Sequence, residues 1–81
     1  GLVEPHRGLG HVYQHQSRFE AALLAYQTAL NLTPDDPSLY LDVARCYQDM
    51  GQPEFACQAV AHGLSIAPTH PDLLVFHAAC P

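Results

Sequence analysis

Six histidines and three cysteines are the residues of this 81-residue chain with the most chemistry to offer. His11 and His15 stand four apart and share a helix face, the spacing of a metal-binding pair. No Glu lies between them in the pattern of a metalloprotease helix, and the sequence offers no third ligand near them. The pair therefore reads as the polar side of a helix, and no metal is expected. Cys46, Cys57 and Cys80 form no CxxC motif and are odd in number, so a disulfide framework is not expected and a reducing, cytoplasmic setting fits. A nucleophilic cysteine would need an activating base. The nearest histidine to Cys57 is His62, five residues on and poorly placed on a helix face. There is no Gly-rich phosphate loop and no GxSxG. The acids gather at expected helix starts, where they favour the helix dipole: Asp35 and Asp36 before one helix, Asp72 in the first turn of another, Glu20 and Glu54 near two more. No catalysis and no cofactor are expected of these residues.

The elements that would position them follow from a repeat. Tyr13 recurs as Tyr47, Gln14 as Gln48, Ala22 as Ala56, Leu30 as Leu64, Pro34 as Pro68 and Pro37 as Pro71, all at a shift of 34. A fixed period of this length means stacked supersecondary units. Within a unit, Leu39, Tyr40, Val43, Ala44, Tyr47 and Met50 follow the spacing of an amphipathic helix. Asp36 supplies an N-cap and Pro37 a first-turn proline, while Gly51 ends the helix and Pro53 opens the next. Phe55, Ala56, Ala59, Val60, Gly63 and Leu64 make the second stripe. Leu9, Val12 and Tyr13, then Phe19 to Leu32, repeat the scheme one unit earlier, with Ser17 near the turn. Helices are expected over residues 3–16, 19–32, 37–50, 53–66 and 71–79. The small Ala22 and Ala56 suit close helix crossings, and Tyr13 and Tyr47 suit the space between neighbouring helices. Val12, Cys46 and Cys80 are equivalent by the same shift, which makes cysteine there a small apolar filler, and Cys57 aligns with Leu23.

The fold class is therefore all-α, an antiparallel helix-pair solenoid of about five helices within a single segment, 1–81. The first repeat covers 3–34, the second 37–70, and 71–81 is a partial third repeat or capping helix that Pro81 would break. Since a solenoid needs about three repeats for stability, the chain reads as part of a longer protein or as a domain completed by a partner. The formal charge of −5 sets three Arg and no Lys against eight acids, which argues against nucleic acid or an anionic membrane surface as partner. No stretch reaches the roughly 18 to 20 apolar residues of a membrane span.

This pattern resembles the tetratricopeptide repeat family: an aromatic residue, Leu-Gly, Tyr, then Ala, an aromatic residue and Pro. The first unit has His6, Leu9-Gly10, Tyr13, Ala22, Tyr26, Ala29 and Pro34; the second has Tyr40, Val43-Ala44, Tyr47, Ala56, Val60, Gly63 and Pro68. Leu74, His77-Ala78 and Pro81 begin a third. His6 stands for the usual aromatic residue, Gly63 for a packing Ala and His77 for Leu. Pentatricopeptide repeats have a similar period but read RNA, which the acidic charge disfavours. The resemblance implies a right-handed superhelix whose concave face holds a peptide. The residues of that face would be Glu4, Arg7, His11, Gln14 and His15 from the first unit, Ser38, Leu41, Asp42, Arg45, Gln48 and Asp49 from the second, and Asp72, Val75 and Phe76 from the third. It also implies a protein–protein interaction module, scaffold or adaptor, rather than an enzyme; the alternative is a substrate-recruiting or self-association arm of a larger enzyme, with self-association through the last helix. Some members clamp the C-terminal carboxylate of heat-shock chaperones with Lys and Asn. Here His11 and Asp42 replace the Asn residues, and Asp42 would repel a carboxylate. Arg7 and Arg45 are the cations expected to meet an acidic group of a ligand.

Overall fold

The computed structural model describes residues 3–80, with side chains from Pro5 onward. The Glu4 side chain and Pro81 lie outside the described residues. Five helices run in order: α1 (Val3–His15), α2 (Phe19–Leu32), α3 (Pro37–Asp49), α4 (Pro53–Ile66) and α5 (Pro71–Ala78). There is no strand among the described residues. Helices α1 and α2 pair, as do α3 and α4, while α2 packs on α3 and α4 on α5. The Cα envelope measures 29 × 27 × 16 Å. Its thin dimension fits two helix layers about 8–10 Å apart, with α1, α3 and α5 in one and α2 and α4 in the other. This is the expected helix-pair solenoid, and among the described residues no helix is long and apolar enough to cross a membrane.

Local chemistry sets the helix ends. The Asp36 carboxylate accepts from the Ser38 N–H at 3.0 Å and from the Ser38 hydroxyl at 2.6 Å, just ahead of Pro37. His70 caps α5 by accepting the Leu73 N–H on Nδ1 at 3.4 Å. The turns that close the helix pairs are built alike. Ser17 has φ 60° and Gly51 has φ 75°, at equivalent places 34 residues apart. At the first turn the Arg18 N–H reaches back to the Tyr13 carbonyl at 2.8 Å; at the second the Gln52 N–H reaches the Tyr47 carbonyl at 2.9 Å. Only the second turn carries the residue for which left-handed backbone is free of strain.

The core is the seam of the two pairs. Ala22, Tyr26, Leu41, Val43, Ala44, Cys46, Ala56, Ala59, Val60 and Leu73 are buried together, with Tyr13 and Tyr47 packed half-buried against them. Ala22 and Ala56 are both buried in this seam. Gly10 lets α1 settle on α2: a Cβ there would stand 2.7 Å from Cδ1 of the fully buried Tyr26 ring. Tyr47 lies 5.5 Å from the Phe55 ring, and the Arg18 guanidinium sits 5.2 Å over the Tyr13 ring. Cys46 is the apolar filler its position implied; its thiol donates weakly to the Phe19 carbonyl at 3.4 Å. His77, at a core-type position in the sequence, is exposed.

The reading of the cysteines needs one correction. Cys57 on α4 and Cys80 just beyond α5 form a disulfide, with Cα atoms 6.0 Å apart. The odd count left one cysteine, the buried Cys46, unpaired, and the fold brought the other two together. The case for a reducing compartment, which rested on unpaired cysteines, loses its premise.

The two turns supply a paired test. Gly51→Ala is expected to destabilise the chain by about 1 kcal/mol, because Ala is strained at positive φ. Ser17→Gly is expected to stabilise it by up to about 1 kcal/mol by removing that same strain. Urea denaturation of the two variants beside the parent would check both signs.

Candidate functional site

The face expected to hold a ligand is the α1–α3–α5 layer. In the first two units much of it is already engaged. The Arg7 Nε donates to the Asp42 carboxylate at 2.8 Å, and His11 Nε2 lies 3.6 Å from the same oxygen. Two turns further along, the Gln14 side-chain amide donates to Asp49 at 2.8 Å. Both pairs span 35 residues, one more than the repeat, so each joins a residue of α1 to the diagonal neighbour of its own equivalent on α3. The Tyr26 hydroxyl donates to the Gln14 side-chain carbonyl at 2.8 Å, and His11 meets the Tyr26 ring edge-on at 5.7 Å between centroids. Burial, and next the nearby Asp42 charge, push the Tyr26 hydroxyl well above its ordinary pKa. It therefore stays protonated and serves as a donor.

Asp42 is only 4% exposed. A carboxylate at that depth needs a charged partner, and Arg7 is that partner. Arg7 is thus held by its own chain, which corrects the expectation that it stands free for a ligand. Leu41, also expected on the open face, is 6% exposed and belongs to the core. Gln14 is half-buried between Tyr26 and Asp49.

The other expected residues remain accessible. His11, His15, Arg45, Gln48 and Asp49 are exposed, and Val75 is 74% exposed. Phe76 is half-buried against the core. Among the described residues Arg45 makes no ion pair; the salt bridges there involve Arg7 and His11. Arg45 occupies in the second unit the place of His11 in the first. His11 and His15 flank a shallow depression of about 310 Å³ with Val12. No group of three His, Cys, Asp or Glu side chains gathers as a metal site among the described residues.

One further cleft does not follow from the sequence pattern. About 610 Å³ lies between the α1–α2 turn and the end of α3, lined by Ser17, Arg18, Phe19, Glu20, Ala21, Asp49 and Met50. Only Asp49 of these was on the expected face. Nothing in the spacing points to this cleft, because it forms where a turn of one unit meets the helix end of the next.

A two-layer stack of paired helices, with an open layer of first helices and no assembled catalytic group among the described residues, defines a helical-repeat protein. Residues 9–80 match the tetratricopeptide repeat family, and the chain belongs to that family. Repeats of this family generally mediate protein–protein interaction and are typically non-catalytic. No curated protein and no solved structure matches the chain.

The Arg7–Asp42 pair predicts a stability effect rather than a binding effect. Arg7→Ala would leave a buried carboxylate unpaired and is expected to cost about 1–3 kcal/mol. Asp42→Ala removes the need for the cation, so adding Arg7→Ala to it should cost little more. A double-mutant cycle by chemical denaturation checks this; additive losses would show that the two side chains act independently.

Proposed function

We propose that the chain binds a short peptide or partner helix bearing an acidic residue beside an apolar one, across the exposed layer of α1, α3 and α5. The observation that carries this reading is Arg45. It is exposed and free of ion pairs among the described residues, in a chain whose formal charge is −5. The cation of the first unit, Arg7, is paired with Asp42. Arg45 therefore offers an acidic group what the rest of the layer does not. Gln48, exposed one turn beyond Arg45, supplies an amide able both to donate and to accept along a peptide backbone. Val75 and the accessible part of Phe76 supply the apolar contact. His11, His15 and Asp49 border the layer and favour partners with donors and acceptors of their own.

A random peptide library displayed on phage tests this directly against the full chain. Peptides enriched on the parent should carry Asp or Glu next to a large apolar residue. A charge-assisted contact is worth about 1.5–3 kcal/mol, so Arg45→Ala should weaken the selected peptides roughly ten- to hundredfold. Arg45→Glu should remove the acidic preference altogether. Unchanged affinity in both variants would sink the reading and direct attention to the cleft at the α1–α2 turn.

A further inference from the structure

Helix α5 is eight residues long. Isolated helices of that length are not stable in water, so α5 persists only through what fastens it to α4. At its start, Leu73 is fully buried, and Gly63 of α4 makes room for it: a Cβ on Gly63 would stand 2.8 Å from Leu73 Cδ1. Its middle contributes little, since Leu74 and Val75 face outward. At its end Phe76 is half-buried, and the Cys57–Cys80 disulfide closes the seam.

The internal repeat shows what that disulfide replaces. Cys80 is the 34-residue equivalent of Cys46, and Cys57 of Leu23. One unit earlier, Cys46 is fully buried and Leu23 packs against the cluster that contains it, with no bond between them. There α3 is held in addition by α4, its own pair partner, whereas α5 has no pair partner among the described residues. Among the described residues the covalent link, rather than a pair partner, holds the end of α5.

The bond is also reachable. Cys57 and Cys80 are both half-buried, and they line a cavity of about 60 Å³ with Gln48, Pro53, Ala56, Phe76 and Ala79. Cys46 differs on every count: its thiol is sealed in the core and burial pushes its pKa up to about 11. It neither presents a thiolate at neutral pH nor competes for exchange.

We propose that the Cys57–Cys80 disulfide is a redox latch, and that its reduction by a dithiol releases α5 from α4. A thiolate of the reductant attacks one sulfur of the pair, the S–S bond breaks, and a mixed disulfide forms with the second cysteine leaving as thiolate. The reductant's other thiol then displaces the first cysteine. Two electrons and two protons pass to the protein, which ends with two thiols, and the dithiol ends as its own disulfide. Once α5 is free, the surface of α4 around Val60 and Gly63 that Leu73 covered is open, and the apolar residues Val75 and Phe76 no longer hold a fixed place on the layer.

Hydrogen exchange on the full chain, with and without dithiothreitol, tests the latch. Thiol titration of the unfolded, air-oxidised chain should find one free thiol, that of Cys46; finding three would overturn the proposal. On reduction, amides of α5 should exchange about a hundredfold faster, while those in the middle of α2 and α3 keep their protection. Cys57→Ser should show the fast α5 exchange without any reductant and should not respond to one. Slow α5 exchange in the reduced chain would overturn the proposal. So would loss of protection in all five helices together, since the bond would then staple the whole stack rather than latch its last helix.

Discussion

The Tyr26 ring is the part on which the rest of the stack depends. It is fully buried, and α1 reaches it only because Gly10 has no side chain. A residue with a Cβ there would meet the ring below 3 Å, so the separation of α1 and α2 is set at this point. The hydroxyl then leaves the core at the one place where it finds Gln14, and Gln14 in turn donates to Asp49 on α3. One aromatic side chain thus fixes the spacing inside the first pair and, through its polar end, the register of the first pair on the second. Buried tyrosine is suited to both tasks because it brings a large apolar surface and a single donor that must be satisfied.

That register explains why the two seams along the layer of first helices differ. Between α1 and α3 the seam is polar: Arg7 meets Asp42 and Gln14 meets Asp49. Between α3 and α5 the equivalents of Arg7 and Asp42 are Leu41 and Phe76, and both are apolar. A polar seam with a buried carboxylate tolerates few alternative arrangements, because any slip leaves Asp42 without Arg7. An apolar seam is less directional. The disulfide lies next to this second seam rather than in it, joining α4 to the chain just beyond α5.

The ends of the stack show what the middle conceals. Val43 and Cys46 are buried beneath α2, whereas their first-unit equivalents Leu9 and Val12 are exposed. The residues are of one apolar kind, and their burial differs because only one set has a preceding helix against it among the described residues. Exposure in a repeat protein is therefore a matter of neighbours more than of residue type.

The sequence alone determined the period, the five helices of the described residues and their ends to within one residue. Those rest on local rules: apolar spacing of about 3.6 residues, proline in first turns, Asp36 as a cap and Gly51 as a stop. It also marked Ala22, Ala56 and Cys46 as packing positions, since equivalence at 34 residues exposes such roles. Tertiary structure decided which polar residues of the layer remain free. Arg7 and Arg45 look alike in sequence; only the diagonal placement of Asp42 beside α1 separates a neutralised cation from an available one. The Cys57–Cys80 bond was equally hidden, because the meeting of two residues 23 apart depends on how α5 folds back on α4. Helix formation is decided within a few turns of chain, where sequence spacing is itself distance. Pairing between helices is decided by packing, where residues 35 apart are neighbours and residues two apart face opposite ways.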